Sequence, residues 1–417
     1  MRQRHKVLGL LAVLSVLTFL DRLAIAVAGP GIQADLHIRP EEWGWILSAY
    51  VLANGLFEMP SGALGDRYGQ RGELTRIVTW WSAFTAFTGW CRGFWQLVVV
   101  RFLFGMGAAG AYPNSAGVIA RWFPVQERAR SQGVVWAASR LGGALAPLLI
   151  VPLQQWFGWR SVFWLLGVAG FFWAVIWHSR FRNTPHEHRS VTAEELREIG
   201  EAPMAHAEKT IPWRRLLRSR ELWLVVLAYG CYGCGSWFYF SWFPVWMVHS
   251  AGFSLEGVLL TSLPFVMGLA ANLAGGVLGD RLSARWGAKN ALRIIPGACL
   301  TLSALILVAM ALVHGKAAVV VLSTLGFGMM DLMLPSAWAL CLAIGGRSSG
   351  TATGMMNTAG QAGGFLCTVL FGYIVEATGS YDAPLWLIAG MVLIAAFVFL
   401  QIDCTRSLDA EPVEAAA

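Results

Sequence analysis

From residue 7 to residue 403, apolar residues come in runs of about twenty, separated by short polar connections. An α-helix of about 20 residues crosses the roughly 30 Å hydrocarbon core of a bilayer. Twelve such runs predict spanning helices, at about 7–30, 43–65, 73–93, 96–120, 129–154, 159–180, 221–248, 255–279, 291–313, 317–344, 349–377 and 383–403. A closed barrel is the other spanning solution, and its alternating segments of about ten residues are absent. The pattern predicts an all-α membrane protein.

The connections set its orientation. With an even number of spans, both termini share a side with the even-numbered connections, which carry Arg67, Arg71, Arg76, Arg121, Arg128, Arg130, Arg281, Arg285, Lys289 and Arg347. The odd connections hold only Arg39, Arg92, Arg160 and Lys316. Lys and Arg accumulate in cytoplasmic loops, so both termini are expected in the cytoplasm. The longest connection, 181–220, is polar and ends in the basic WRRLLRSRE. Within it, SVTAEELREI has a capping-box start and helical spacing, which predicts a surface helix. This linker divides the chain into a six-helix bundle over 1–180 and another over 221–405, with 406–417 as a cytoplasmic tail.

The two sets of six look alike. GALGDRYGQR (62–71) follows the second span and GVLGDRLSARWGAKN (276–290) follows the eighth, with their Gly-Asp-Arg triplets 214 residues apart. QGVVWAASRLGG (132–143) aligns with TGMMNTAGQAGG (353–364), setting Arg140 against Gln361. Duplicated halves are the mark of a transporter fold with its substrate site between them.

Composition narrows the alternatives. The net charge of +7 could suggest nucleic acid, but the basic residues sit between apolar runs rather than on one soluble face. The first twenty residues imitate a secretory signal, yet Asp21 and Arg22 interrupt the apolar stretch and many equal runs follow, so this segment reads as the first span. Seven cysteines, nearly all inside apolar runs, argue against a disulfide framework. GRSSG (346–350) fits a nucleophile elbow but joins two apolar helices with no preceding strand. CYGC (231–234) lies inside a span without a second pair for zinc. HEH (186–188) reads as solvated linker. No metal or cofactor is implied.

A charge at a helix centre costs about 2.5–3.5 kcal/mol on insertion scales. Five occur: Asp21 and Arg22 on span 1, Arg101 on span 4, Arg140 on span 5 and Asp331 on span 10. Adjacent helical residues point about 100° apart, so Asp21 and Arg22 must find different partners. With both aspartates ionised the five leave one net positive charge, a bias toward an anion. Arg140 can hold a second acidic group or satisfy a carboxylate such as Asp331. Tyr229, Tyr232 and Trp237 on span 7 and Trp338 on span 10 can stack against a ligand, and Asn357 and Gln361 on span 11 can hydrogen-bond it.

GALGDRYGQR and RFLFGMG (101–107) resemble the signature loop and fourth-span pattern of the major facilitator superfamily. FLDRLAIAVAGPGI, GAYPNSAGVIARWFP, FYFSWFPVWMV and GMMNTAGQAGG further resemble its anion:cation symporters, which include bacterial galactonate, hexuronate and glucarate transporters and animal sialic-acid and vesicular glutamate carriers. The resemblance implies a monomeric secondary carrier in a bacterial inner membrane, moving a sugar acid with protons by alternating access. An exporter or an uncoupled exchanger of another organic anion is the alternative within that class. A membrane-bound sensor or enzyme is the alternative outside it, against which the repeats and the missing catalytic constellation weigh.

By the same resemblance, spans 1, 4, 7 and 10 line the cavity. Asp21 is then the protonatable carboxylate paired with Arg101, Arg22 faces the substrate carboxylate, and Trp338 and Asn357 match substrate positions. Asp66, Arg67 and Arg71, with Asp280 and Arg281, latch the cytoplasmic side, whereas Glu58 reads as structural. One departure stands out: Ala108 occupies the place of the family's usual Glu in GxGEAGAYPN, which puts proton coupling in doubt unless Asp331 takes the role.

Overall fold

A computed structural model of the chain describes residues 2–199, 213–254, 256–313, 315–345 and 349–405. Among them every regular element is helical. The first expected span folds as α1 (Gln3–Val27), continued by α2 (Gly29–Leu36); then come α3 (Pro40–Tyr68), α4 (Gln70–Thr88), α5 (Phe94–Ala108) and α6 (Ala111–Trp122). Spans five and six form one long element, α7 (Val125–Arg180), whose backbone leaves helical geometry at Gly158. The linker contributes α8 (Ala193–Ile199) and α9 (Trp213–Arg218). The remainder is α10 (Arg220–Trp237), a wide π-turn over Phe238–Trp242, α11 (Phe243–His249), α12 (Ser262–Trp286), α13 (Ala288–Leu312), α14 (Lys316–Leu332), α15 (Leu334–Gly345), α16 (Ser349–Thr378) and α17 (Ala383–Gln401).

Among the described residues, nine helical stretches are long and apolar enough to cross a bilayer. One of them, Ser131–Arg180, holds two of the expected spans. The expected second and third spans fold as α3 and α4, of 29 and 19 residues, but are more polar. Asn54 and Glu58 interrupt α3, and Glu73 with Arg76 opens α4. Gly69 (φ 89°) separates α3 from α4 and Gly287 (φ 79°) separates α12 from α13. A positive φ turns the chain between helices at a cost that only glycine escapes, and both halves use it beside the repeated Gly-Asp-Arg.

The chain forms two compact units. The first comprises Met1–His206, Phe240–Val266 and Thr368–Gly379; the second comprises Ala207–Tyr239, Met267–Cys367 and Ser380–Ala417. In the first, α1 and α4 lie along α7, and α3 lies along α5. Missing side chains permit this approach: a Cβ on Gly142 would stand 2.6 Å from the Val16 carbonyl, and one on Gly105 2.6 Å from that of Tyr50. In the second unit α13 and α10 lie along α17. Small residues at such crossings are how helices associate where water supplies no hydrophobic drive. Large apolar side chains such as Trp95, Phe172 and Phe397 instead point outward.

The linker helix α8 does more than cover a surface. Thr192 caps it by accepting the Glu195 N–H at 3.2 Å. The second half of the expected capping box does not form, because the Glu195 carboxylate instead accepts the backbone N–H groups of Gln3 and Arg4, at 3.1 and 2.9 Å. These are the unpaired donors that open α1, where a carboxylate also meets the positive end of the helix dipole. Arg4, 1 % exposed, is ion-paired to Glu198 and to Glu127, each at 3.0 Å, and Arg2 also pairs with Glu198. All seven cysteines are free and buried. Cys234 of the C-x-x-C pair donates weakly to the Gly363 carbonyl.

Candidate functional site

The first unit gathers Asp21, Arg22, Arg101 and Arg140. Asp21 and Arg22 do diverge. Asp21, 2 % exposed, faces Trp81 and Thr85, one turn apart on α4, and lies within electrostatic reach of Arg101 on α5. No ion pair joins Asp21 to Arg101 among the described residues, and neither carboxylate oxygen has a hydrogen-bond partner there. Arg22 turns the other way, its guanidinium carbon 5.4 Å from the ring centroids of Phe19, Tyr50 and Phe240.

The other two arginines meet the same rings. Arg101, 2 % exposed, stands 4.4 Å from Phe104 and 5.2 Å from Tyr50; Arg140 stands 5.9 Å from Phe240. Tyr50 thus bridges Arg22 and Arg101, and Phe240 bridges Arg22 and Arg140. An aromatic face attracts a cation, and the planar guanidinium of arginine suits such a face. Phe240 is itself fixed by Phe19 (6.1 Å, edge-on) and Phe265 (5.7 Å, stacked). Tyr112 stacks on Trp136 at 4.9 Å and lies within electrostatic reach of Arg22 and Arg140.

Sequence reasoning did not single out these rings as neighbours of the arginines. Tyr112 and Phe240 fall inside the segments AYPNSAG and FYFSWFP, but nothing in their spacing separates them from packing aromatics.

The second unit holds Tyr229, Tyr232, Trp237, Asp331, Trp338, Asn357 and Gln361. Tyr229 and Tyr232 lie 5.0 Å apart on α10. Gly360 on α16 admits the Tyr229 ring, which a Cβ there would meet at 2.8 Å. Asn357 and Gln361 flank Gly360 one turn apart on the same helix face, and both are half-buried. Trp237 lies against Gly364. Asp331 is fully buried near the end of α14, one carboxylate oxygen 2.5 Å from where a Cβ on Gly268 of α12 would stand. Trp338 is half-buried on α15.

The side chains of Asp66 and Asp280 lie outside the described residues, as do Arg347 and Ser348 of GRSSG and the tail beyond residue 405. Arg67 is exposed and rests on Tyr68, its guanidinium carbon 5.4 Å from the ring. Arg281 is exposed. Arg71 donates through its guanidinium to the His178 carbonyl at 2.7 and 2.8 Å, closing the C-terminal end of α7. Ala108 is buried at the end of α5. Asp35, just beyond α1, accepts from Arg160 at 2.6 Å and Trp159 at 3.1 Å, and these bonds hold its carboxyl below the usual value of 3.8.

The sequence pattern of the Major Facilitator Superfamily matches residues 11–368. A probable sulfoacetate transporter of Cupriavidus necator is 33% identical over 98% of this chain and 96% of its own. The hexuronate transporter of Bacillus subtilis is 28% identical over 96% of this chain and 94% of its own. A bacterial homologue of the human lysosomal transporter Spinster, solved inward-facing and unoccupied, shares the fold with a TM-score of 0.76 at 19% identity, over 96% of this chain and 95% of its own. An all-helical multi-pass chain, with internal repeats and buried charges in its apolar helices, is therefore a transporter rather than an enzyme, and it belongs to the Major Facilitator Superfamily.

Proposed function

We propose that the chain carries an organic anion, a sugar acid such as a hexuronate or an aldonate, together with protons by alternating access across a bacterial inner membrane. The observation that carries this reading is the set of guanidiniums of Arg22, Arg101 and Arg140, held in the first unit against Tyr50, Phe104 and Phe240. Three guanidiniums gathered around shared rings give this part of the first unit a positive field that favours an anion. Arg22 and Arg101 take the substrate carboxylate, while Tyr232, Trp237, Trp338, Asn357 and Gln361 contact its remainder. The chain works as a monomer of two six-helix halves, 1–180 and 221–405, with both termini cytoplasmic and Asp66, Arg67, Arg71, Asp280 and Arg281 latching that side.

Asp21 is the proton carrier in this reading and Asp331 the second. A carboxylate removed from water resists ionisation, and a nearby arginine favours it, so opening to either side can shift the balance. A proton moved down a potential supplies about 2.3 kcal/mol per 100 mV, enough to accumulate an anion. Uptake of labelled hexuronate, galactonate and sulfoacetate into proteoliposomes under imposed pH and voltage gradients tests the proposal. Absence of flux under every gradient refutes it. Ala108→Glu should then steepen the pH dependence of uptake, and an unchanged profile removes position 108 from coupling.

A second reading is favoured by Arg140 and by the sulfoacetate relative: the substrate is a short dianion. Sulfoacetate carries a sulfonate and a carboxylate, and Arg22 and Arg140, sharing Phe240, offer one cation to each.

A further inference from the structure

A cavity of about 890 Å³ opens far from the buried charges, where the beginning of α1, the end of α7 and the linker meet. Its polar rim is cationic. Lys6, Arg180, Arg182, Arg189 and His188 line it, against one acid, Glu187, which accepts from Thr184 at 3.0 Å. Arg182 is committed to the carbonyls of Ser179 and Phe181, at 3.0 and 2.8 Å. Lys6, Arg180 and Arg189 are exposed and form no ion pair among the described residues. Three cations that remain unneutralised around a single cavity leave it strongly attractive to an anion.

The floor is apolar and runs inward. Leu10 stands one turn beyond Lys6 on α1, and Ile176 stands one turn before Arg180 on α7, each on the same face as its basic neighbour. Both apolar residues therefore lie toward the middle of their spans and both basic residues toward the ends. Trp173 pins this floor by donating to the Leu10 carbonyl at 3.0 Å. Val7 and Phe181 complete it.

We propose that this cavity binds one anionic phospholipid, with its headgroup phosphate on Lys6, Arg180 and Arg189 and an acyl chain along Leu10 and Ile176. A free phosphate would find the same cations but would make no use of the apolar floor. Basic pockets between spanning helices suit acidic lipid headgroups because the cations sit at the depth of the phosphate layer. Bound there, the lipid ties the linker turn at 188–190 to the ends of α1 and α7; Glu195 and Glu198 already fasten α8 to the start of α1. The assignment is independent of the transported substrate.

The test is native mass spectrometry of the full delipidated chain titrated with phosphatidylglycerol, phosphatidylcholine or inorganic phosphate. Each basic side chain near an anionic lipid contributes about fivefold, so Lys6→Gln with Arg180→Gln and Arg189→Gln should weaken phosphatidylglycerol binding roughly a hundredfold. Arg189→Gln alone, on the exposed linker, should lose about fivefold even if the triple variant folds poorly. A control removing equal charge elsewhere, Arg92→Gln with Arg285→Gln and Lys316→Gln, should bind as the parent does. Preference for phosphatidylglycerol over phosphatidylcholine, lost only at the three lining positions and resistant to excess phosphate, supports the proposal. Unchanged binding in the lining variants, equal loss in the control, or displacement of the lipid by phosphate alone overturns it.

Discussion

Replacing Arg140 by Gln removes one of the two guanidiniums that share the Phe240 ring and leaves the other, Arg22, with Phe19, Tyr50 and Phe240 around it. Because both guanidinium carbons lie within 6 Å of one centroid, they are at most about 11 Å apart, within reach of the two ends of one small molecule. If Arg140 receives a second acidic group, its loss costs a charge-assisted bond of about 1.5–3 kcal/mol, or roughly ten- to a hundredfold in affinity. A ligand with a single acid, seated on Arg22 and Arg101, should change by less than about threefold, since the lost ring contact of about 0.5–1 kcal/mol belongs to the protein and not to the ligand.

Galactarate and galactonate differ only in whether the second end is an acid, so titration calorimetry with this pair isolates the effect. The expected outcome is selective loss of galactarate binding in Arg140→Gln. Equal losses for both ligands, or none for either, would refute the assignment of Arg140 to a second acid and leave it a packing partner of Phe240.

Asp21→Asn should leave exchange of bound anion across proteoliposomes intact while abolishing accumulation driven by a pH gradient; full accumulation in this variant rejects Asp21 as the proton carrier. Glu195→Ala removes the acceptor of two N–H groups at the start of α1 and should lower stability by about 1–3 kcal/mol; an unchanged Tm in detergent would mean that Glu195 contributes nothing to that helix end. Asp35→Asn should lower Tm at neutral pH. Because the folded carboxyl titrates below its ordinary value of 3.8, the gap from the parent should be full above that value and close as pH falls through the lowered one. A gap that widens on acidification contradicts the Asp35–Arg160 bond.

Much of this architecture is written in the apolar pattern, because a helix in lipid must be apolar along its length and its ends must carry charge. The pattern is weakest at α3 and α4, where Glu58, Glu73 and Arg76 dilute it; there the length of the element and the Gly69 turn define the helices. The buried charges were equally legible, since Asp21, Arg22, Arg101, Arg140 and Asp331 each oppose a large insertion cost. The rings around the three arginines were not. Tyr50, Phe104 and Phe240 belong to a chain with 12% aromatic residues, and only proximity distinguishes a ring that holds a cation from one that fills space. The linker was half legible: Thr192 caps α8 as its spacing predicts, whereas the destination of Glu195 depends on Gln3 and Arg4, some 190 positions earlier.

Phe240 enters the first unit from a stretch of chain that follows the linker. A ribosome therefore completes α1 through α7, with Arg22 and Arg140 already inserted, well before the ring they share has been made. Synthesis proceeds at about 5–20 residues per second, so these arginines wait several seconds in the membrane for their aromatic neighbour. During that interval Arg22 has Phe19 and Tyr50 of its three rings, and the ring it shares with Arg140 comes only when Phe240 arrives.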